Sequence, residues 1–515
     1  MRVLGRSNLR VISFNMRVLL VNVPSRKHDC TPPLGLFYVS GIIDRMGFQV
    51  KILDMYLRNT ELSVLPTLES EIELFKPDVI GFGGIVTSYG RTKLLSNHIK
   101  KKFPDIVQIA GGPLSSGFKL LLENTSVDAI FHGECEMTLP LWLNNIKNPE
   151  AWHSINGISF RENARYVINK NVVQIENLDD IPFPPYGRIV DYTPYINKSI
   201  PSRLPTIAAM MADYPSVINH YIQRTKNNPA YIEFITKRGC THRCFFCYRH
   251  VKGIRSHSVE YVIEHMKKLK SMFPIGGFYF ADELFNHNKK WVMELCERIK
   301  KEFPGIFYII SGARVDNMDN EMLDALYSSG CIEISYGQES GDESVLQEYR
   351  KGVSVEQNLE ITRLTLEKGI FSPVQLVIGA PSESPDTVKR TIKFLKKLKV
   401  YGASINYLLP LPETPSWEYV QRNGLIEDIE KYIEDVAEYG GSKLHVNLTS
   451  CDRKIAGTWV RLIELHLKAN YSRKKRKYLK FFYEKLRCFL LYRMPTFYEG
   501  VASIKKKLAA FHEKH

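Results

Sequence analysis

Short apolar runs alternate with longer amphipathic segments along most of this chain, and this alternation constrains the fold more than any other feature. In the first part of the chain the runs end in turns with glycine or proline, at residues 18–23, 50–53, 79–83, 107–110 and 129–131. Strands that are apolar on both faces and separated by helices form parallel sheets covered on both sides. We therefore predict a doubly wound, flavodoxin-like (Rossmann-like) α/β domain over residues 16–150, with residues 1–15 as an extension.

A second series of the same kind begins near Tyr231. Its apolar runs lie at residues 231–236, 277–281, 307–311, 332–336, 374–378 and 404–408. Six such strands with intervening helices predict a partial (β/α)6 barrel of TIM type over residues 230–425, with functional side chains at the carboxyl ends of the strands. Residues 151–229 contain the run Pro182-Phe183-Pro184-Pro185 and are predicted to be a linker, because proline interrupts regular structure.

Composition narrows the class of protein. The chain of 515 residues is 44% hydrophobic and 24% charged, an ordinary globular balance. We find no apolar run of the roughly 18–20 residues that a membrane-spanning helix needs. Its 9 cysteines are an odd number, and we find no export signal, so we expect reduced thiols in the cytoplasm.

The C-terminal region, residues 426–515, is predicted to be helical and basic. Six residues recur at three- and four-residue steps, as in an amphipathic helix: Leu479, Phe482, Leu486, Phe489, Leu490 and Arg493. This stripe either packs against the barrel or lies on anionic lipid at the inner membrane surface, which would suit a lipid substrate. Nucleic acid ranks lowest, because no recognised RNA-binding motif accompanies the basic and aromatic residues.

Three cysteines with the spacing CxxxCxxC follow the first strand of the predicted barrel. Cys240, Cys244 and Cys247 can bind three irons of a four-iron–four-sulfur cluster, which leaves the fourth iron open to a ligand. Zinc is an alternative, with His242 or His250 as the fourth ligand. A group of buried, unligated thiols is a second alternative.

In this position the motif resembles that of the radical S-adenosylmethionine (SAM) enzymes, and the resemblance extends from Tyr231 to about Gly424. It implies that the three cysteines hold a [4Fe-4S] cluster that cleaves SAM reductively to a 5′-deoxyadenosyl radical. It also implies SAM contacts at the strand ends, from Phe246, Asp282, Glu283, Arg314, Glu339 and Gly379. Structural roles remain open for these residues: carboxylates at a helix N-terminus, an Arg314–Glu339 ion pair and a glycine turn.

The predicted domain order, with glycine-rich strand ends before the barrel, resembles the cobalamin-binding class of radical SAM enzymes. The implied cobalamin contacts are Pro33, Leu34, Gly35, Gly84, Thr87, Gly111, Gly112, His132, Gly133 and Glu134. The chain lacks the DxHxxG motif that places a histidine below the cobalt in many cobalamin proteins, and the histidine-off subclass commonly lacks it too. A domain that only covers the barrel is the alternative.

The resemblance implies an enzyme that methylates an unactivated carbon of a small-molecule or lipid substrate. Its cofactors would be the cluster, SAM and cobalamin, with a reducing donor of flavodoxin or ferredoxin type. A radical SAM cyclase, mutase or oxidoreductase without methyl transfer is the first alternative. A non-catalytic binding or scaffold protein that retains both folds is the second. The sequence singles out no substrate and no catalytic acid or base.

Overall fold

The computed structural model describes residues 16–25, 31–57, 64–163 and 165–493. The chain divides into two compact units between Pro194 and Tyr195. The predicted extension over residues 1–15 lies outside the described residues. None of the helices in the described ranges is both long and apolar enough to cross a bilayer.

The first unit is built on a seven-stranded sheet in the order β2-β1-β3-β4-β5-β6-β7. The strands are β1 (Arg17–Asn22), β2 (Gln49–Asp54), β3 (Val79–Gly83), β4 (Val107–Gly111), β5 (Ala129–Phe131), β6 (Ile158–Glu162) and β7 (Arg165–Asn169). The first five strands pair in parallel in the order 2-1-3-4-5, which is the order of flavodoxin-like domains. The predicted doubly wound sheet is therefore confirmed, and each of its five apolar runs coincides with a strand.

Helices connect the strands of this unit, and buried apolar side chains fill the space between helices and sheet. The helices are α1 (Leu34–Arg45), α2 (Val64–Phe75), α3 (Tyr89–Lys102), α4 (Phe118–Asn124), α5 (Thr138–Asn144) and α6 (Pro149–Trp152). Part of the core is aromatic, because Trp142 packs against both Phe131 and Trp152. These contacts fix the far edge of the parallel sheet, where β6 pairs antiparallel to β5.

The stretch predicted as a linker contains regular structure. The β6–β7 hairpin extends the first sheet, and two helices follow it, α7 (Ile200–Met210) and α8 (Pro215–Thr225). Two other prolines of this stretch, Pro201 and Pro215, lie in the first turns of these helices. A first-turn proline costs nothing there, because its missing N–H has no partner within the helix.

The second unit is built on a six-stranded sheet in the order β15-β14-β13-β12-β11-β8, with every neighbouring pair parallel. Its strands are β8 (Tyr231–Phe234), β11 (Gly277–Phe280), β12 (Phe307–Ala313), β13 (Cys331–Glu339), β14 (Val374–Ile378) and β15 (Ser404–Tyr407). The strands are in chain order and the first and last form the edges, as in a partial (β/α)6 barrel. A separate antiparallel pair, β9 (Lys237–Gly239) and β10 (Ile254–Ser256), lies between the first two strands in sequence.

The helices of this unit begin at well-defined caps. They are α9 (Val259–Met272), α10 (Lys289–Glu302), α11 (Asn320–Ser329), α12 (Glu343–Glu348), α13 (Val355–Lys368), α14 (Pro385–Lys397), α15 (Pro415–Arg422), α16 (Ile429–Tyr439), α17 (Arg453–Ala456), α18 (Trp459–Lys474) and α19 (Tyr478–Arg493). Side-chain oxygens of Ser258, Asn288, Asp319, Ser354 and Ser384 accept hydrogen bonds from the first turns of the crossover helices. Each cap contributes about 1 kcal/mol and fixes where the preceding strand-end loop stops.

Candidate active site

The three cysteines lie in a loop that a short hairpin closes. β9 and β10 pair antiparallel, with Gly239 opposite Ile254, so that residues 240–253 form the loop between them. Gly239 has φ +87°, and a Cβ at this position would collide with the carbonyl oxygen of Gly253. The loop can therefore begin as it does only with glycine before Cys240. This hairpin could not be predicted from the sequence, because its strands are only three residues long.

The thiol groups of this loop have the chemistry that an iron–sulfur cluster needs. Cys244 is buried, and a hydrogen bond with the Cys247 thiol, followed by the charges of Lys351 and Arg314, lowers its pKa to about 6. The same hydrogen bond raises the pKa of Cys247, and burial raises the pKa of Cys240. Thiolates are the ligand form for iron, and nearby cations favour that form. The donor set therefore fits a cluster.

A single metal ion would need a different arrangement. Within the described ranges, no group of three or more His, Cys, Asp or Glu side chains converges as the ligands of one ion do. A cube of iron and sulfide is larger, and each thiolate binds a different iron atom. Three cysteines in one loop supply the three thiolates that such a cube needs.

The cysteine loop is held from two sides by its phenylalanines. The backbone N–H of Phe245 donates to the carbonyl of Tyr349 (3.0 Å), and the carbonyl of Phe245 accepts from the N–H of Ser416 (2.8 Å). The ring of Phe246 meets that of Tyr349 edge-on at 5.1 Å. The Tyr349 hydroxyl in turn donates to the carbonyl of Val377 in β14 (3.1 Å). Phe246, predicted to lie beside the adenine of SAM, is thus tied to the β14 end of the sheet.

The adjacent carboxylates Asp282 and Glu283 have different surroundings. Asp282 is buried, and its oxygens accept from the N–H groups of Thr236 (2.7 Å) and Lys237 (2.9 Å) and from the Thr236 hydroxyl. It therefore anchors the backbone just before the cysteine loop, and its predicted contact with SAM stays a prediction. The Glu283 side chain is exposed, and its pKa is raised by partial desolvation and then by the charge of Asp282. Of the two, Glu283 is the one with a carboxylate left for a ligand.

Arg314 and Glu339 do not pair with each other, because each has another partner. The guanidinium of Arg314 makes two 2.8 Å bonds to Asp316 and a third, 2.6 Å long, to the carbonyl of Lys351. The carboxylate of Glu339 accepts from Nζ of Lys351 at 3.0 Å. Lys351 therefore links the ends of β12 and β13. Nothing in the sequence singled it out, since it lies in a loop outside every motif.

Glu339 and Gly379 both have left-handed backbone, and each ends a strand. Glu339 has φ +59° and Gly379 has φ +108°. A Cβ at Gly379 would meet only Leu444 and Leu408, at 3.9 and 4.0 Å, so the space above this backbone is open. The buried carboxylate of Glu383 accepts from the N–H groups of Gly379 and Ala380, and its pKa is raised to about 7 by burial. The Glu383 carboxylate thus holds this turn, and Gly379 is buried.

These groups share one end of the sheet. Glu283 and Arg314 act electrostatically on Cys240, while Lys351, Arg314 and Glu339 act on Cys244. The structure thus brings the charged strand-end residues together around the cysteine loop. The thiols of the cysteine loop and the exposed carboxylate of Glu283 are therefore the candidate ligand groups for a cluster and for SAM.

In the first unit the strand-end loops interlock through backbone contacts. The carbonyl of Val23 accepts from the Ser88 hydroxyl (2.8 Å), and the carbonyl of Gly84 accepts from the N–H of Leu114 (3.0 Å). A Cβ at Gly84 would come within 2.8 Å of the Ser88 hydroxyl and 3.1 Å of the Val23 carbonyl. Gly84 is therefore required by the contact between the loops themselves.

The outer face of the same loops is accessible. Gly35 is exposed, and a Cβ there would meet nothing within 4 Å. The other predicted contacts on these loops are half-buried: Pro33, Leu34, Gly84, Thr87, Gly111 and Gly112. Gly112 has φ +67° and faces the Gly84 carbonyl, which a Cβ would approach only to 3.7 Å. This low, glycine-lined edge fits a broad, flat ligand such as cobalamin.

The loop after β5 is covered. The imidazole of His132 is buried, with Nε2 at 2.8 Å from the Ser159 hydroxyl and its ring edge-on to Phe118. A Cβ on Gly133 would overlap the side chain of Val172. The buried carboxylate of Glu134 accepts from the N–H of Ile175 at 3.2 Å. The His132 imidazole and the Glu134 carboxylate are thus held by contacts within the first unit. The cobalamin contacts predicted for residues 132–134 stay predictions.

Two family models match the chain, one in each unit. Residues 20–142 match the B12 binding domain, and residues 234–395 match the radical SAM superfamily. Together they imply a [4Fe-4S] cluster, SAM and cobalamin as the cofactors.

Relatives with known names include several methyltransferases. An uncharacterized methyltransferase, PH0819, of Pyrococcus horikoshii is 27% identical over 80% of this chain and 84% of its own length. Cytidylyl-2-hydroxyethylphosphonate methyltransferase of Streptomyces wedmorensis is 26% identical over 80% of this chain and 83% of its own. An anaerobic magnesium-protoporphyrin IX monomethyl ester cyclase of Rubrivivax gelatinosus is 24% identical over 78% and 68%.

Solved structures show the same fold. The cobalamin-dependent SAM radical enzyme OxsB, with aqua-cobalamin and SAM bound, superposes with a TM-score of 0.64 at 18% identity, covering 96% of this chain and 75% of that one. The radical SAM methyltransferase TsrM of Kitasatospora setae gives a TM-score of 0.60 at 20% identity, covering 79% and 75%. With both domains present in this order, the chain belongs to the cobalamin-binding class of radical SAM enzymes.

Proposed function

We propose that this protein is a radical SAM methyltransferase that uses cobalamin to methylate an unactivated carbon of a small-molecule or lipid substrate. The observation that carries the proposal is the cysteine loop at residues 240–253, which a hairpin closes beside two cations and an unoccupied carboxylate. The names of its relatives, which include methyltransferases, support methyl transfer.

The residues of the second unit divide the work of holding the two cofactors. Cys240, Cys244 and Cys247 would bind the cluster, and Glu283 would accept a hydrogen bond from the amino group of SAM. Phe246 and the backbone of Gly379 would lie along the adenine. When bound, the cluster supplies the electron that cleaves SAM, and cobalamin carries the methyl group.

Both cations at this end of the sheet are paired with carboxylates. Arg314 is neutralised by Asp316, and Lys351 by Glu339, at hydrogen-bond distance in both pairs. Both cations therefore remain close to the thiols without forming a free anion site. Glu283 is left as the acceptor for a cationic group, which suits the ammonium of SAM.

Two further parts of the proposal concern the setting of the reaction. The cluster needs a low-potential electron donor, for which a flavodoxin or ferredoxin is the expected class. Reduced thiols are required in the cysteine loop, so we place the enzyme in the cytoplasm.

The test is anaerobic loading with iron and sulfide, followed by measurement of iron content and of 5′-deoxyadenosine formed from SAM. We expect Cys244→Ala to lose both. Cys451→Ala is the matched control, because Cys451 is a half-buried thiol far along the chain from the cysteine loop, and it should keep both. Equal iron content in the wild type and Cys244→Ala would contradict the proposal, and a protein that never forms 5′-deoxyadenosine would be a scaffold.

A second candidate function is a radical SAM cyclase, since cyclases are among the relatives. Methyl transfer through cobalamin consumes SAM in two ways, so S-adenosylhomocysteine should appear together with 5′-deoxyadenosine, and only when cobalamin is supplied. Candidate substrates for this assay would be the compounds made by the enzymes that neighbouring genes encode. If 5′-deoxyadenosine forms with substrate while S-adenosylhomocysteine stays at background, the cyclase is the correct assignment.

A further inference from the structure

The last described helix, α19, has two apolar faces, and only one of them is packed. Cys488 and Leu491 are buried in the core of the second unit, beside residues of α18. Four residues on the opposite side form what we call the exposed ridge, and their exposed fractions are 90% for Leu479, 65% for Phe482, 55% for Leu486 and 58% for Phe489. Their spacing of three and four residues places them in one row.

The exposed ridge corrects one of the sequence interpretations. That interpretation packed the stripe containing these four residues against the barrel. The structure packs the other side of the helix, at Glu484, Cys488 and Leu491. Periodicity finds an apolar stripe but does not show which of two stripes is buried. A continuous row of large apolar side chains facing solvent marks a binding surface more often than chance.

The charge around the ridge is strongly positive. Residues 473–493 contain nine Lys and Arg and one acidic residue, Glu484. Glu484 is itself buried and paired with Arg487 at 2.9 Å. The exposed cations before and within the start of the helix form no ion pair with any described residue, and they are Arg473, Lys475, Arg476, Lys477 and Lys480. Their charge is therefore available to a partner.

The basic residues also flank the ridge along the helix. Successive residues of an α-helix are rotated by about 100°. Lys480 follows a ridge residue and so lies on one side of the row, whereas Lys485 precedes Leu486 and lies on the other. We propose that α19 and the basic residues before it dock this protein on an anionic lipid surface, with the ridge among the headgroups and the flanking cations on lipid phosphates.

Lipid fits this surface better than the two other partners that a basic, apolar helix can take. A second copy of the chain would cover the ridge but would bring two strongly basic segments together, which like charges oppose. Nucleic acid would neutralise the cations but offers no apolar layer for Leu479 and Leu486. A bilayer with acidic headgroups supplies both the charge and the apolar layer.

The proposal is independent of the enzyme's reaction, because binding to vesicles needs no cofactor. The experiment is cosedimentation of the full chain with vesicles of mixed phosphatidylglycerol and phosphatidylcholine, and with phosphatidylcholine alone. We expect binding to the mixed vesicles that weakens with salt. Phe482→Ser with Phe489→Ser should weaken it at least tenfold, and Lys475→Ala, Lys477→Ala and Lys480→Ala together about a hundredfold, at roughly 1 kcal/mol per cation.

Matched controls carry the same changes elsewhere on the surface. Leu74→Ser removes an apolar side chain that is 76% exposed on α2, and Lys101→Ala with Lys300→Ala and Lys301→Ala removes three exposed cations from α3 and α10. Both controls should bind like the wild type. Equal binding to neutral vesicles, or binding that the ridge and basic variants leave unchanged, would overturn the proposal.

Three other results would also overturn it by identifying a different occupant. Ridge-dependent dimers in sedimentation equilibrium would assign the ridge to a second copy. Vesicle binding that appears only after residues 494–515 are removed would assign it to that segment. Saturable binding of tRNA that requires the same cations, without vesicle binding, would assign the surface to nucleic acid.

Discussion

Loss of the carboxylate should have different consequences at the neighbouring residues Asp282 and Glu283. It should lower the stability of the second unit at Asp282 and weaken SAM binding at Glu283. Asp282 accepts three hydrogen bonds from Thr236 and Lys237 and is buried. Asp282→Ala would leave three donors without an acceptor, at about 1–3 kcal/mol each. Part of this cost is offset because the substitution also removes a buried carboxylate, whose pKa is raised by desolvation. We therefore expect a net loss of about 3–5 kcal/mol in the free energy of unfolding of the second unit.

Glu283→Gln should leave that free energy within about 0.5 kcal/mol of the wild type, because the side chain is exposed and makes no hydrogen bond to another described residue. Its effect should instead be on SAM, where loss of a charge-assisted hydrogen bond is worth about 1.5–3 kcal/mol, or roughly a 10- to 150-fold rise in the Kd of SAM.

The assay for the pair is urea unfolding of the anaerobic protein, followed in parallel by SAM binding at equilibrium. Trp291 provides an optical signal near Asp282, since the Nζ of Lys237 lies 3.1 Å from the centre of its ring. The reasoning is refuted if Asp282→Ala unfolds like the wild type, or if Glu283→Gln unfolds early and binds SAM normally.

Three further predictions concern the scaffold. Gly239→Ala should abolish iron loading, whereas Gly253→Ala should lower the free energy of unfolding by only about 1 kcal/mol. Both glycines have positive φ, but a Cβ collides with a neighbour only at Gly239. Iron analysis of both variants checks this prediction. Burial lowers the pKa of His220 to about 4, so between pH 6.5 and pH 4 the unfolded chain binds a proton that the folded chain does not bind. The free energy of unfolding should therefore fall by up to about 3 kcal/mol over this range. Urea titrations of His220→Gln should show a smaller dependence on pH. Arg203→Met leaves the buried carboxylate of Glu333 without the cation that binds both its oxygens (3.0 and 2.8 Å) and should cost about 3 kcal/mol in urea unfolding. The same change at the exposed Arg188 should leave the urea midpoint unchanged.

The parallel strands of both sheets could be predicted from the sequence because they are buried on both faces, whereas the antiparallel strands β6 and β7 lie in the stretch predicted to be a linker. A run such as Val79–Gly83 is apolar at nearly every position, and it is buried at every position in the structure. The signal therefore does not depend on any contact far away in the chain. Strand order could be predicted for the same reason, since the flavodoxin-like and barrel arrangements are the few ways to cover such strands.

The partners of the site residues could not be predicted, because they depend on tertiary contacts. Asp282 and Glu283 are identical in chemistry and adjacent in sequence, and only the pairing of β8 with β11 decides which one turns inward. Lys351 joins the site through a loop that precedes α13 and carries no motif of its own. His132 lies in a motif of the family model, but its imidazole is turned towards Ser159.

Glycine at the strand ends has two different causes, and the space around each Cβ separates them. At Gly84 and Gly312 a side chain would run into neighbouring backbone or into a hydroxyl that already has a partner, so these glycines exist because two loops touch. At Gly35 and Gly379 the space that a Cβ would occupy is open, so no contact within the fold requires glycine at either position. Gly35 has no positive φ either, which means that alanine fits its backbone without strain. Because Gly35 lies in the first turn of α1, Gly35→Ala should leave the urea midpoint of the first unit unchanged or slightly higher and should weaken cobalamin binding. Gly84→Ala should lower that midpoint whether or not cobalamin is present.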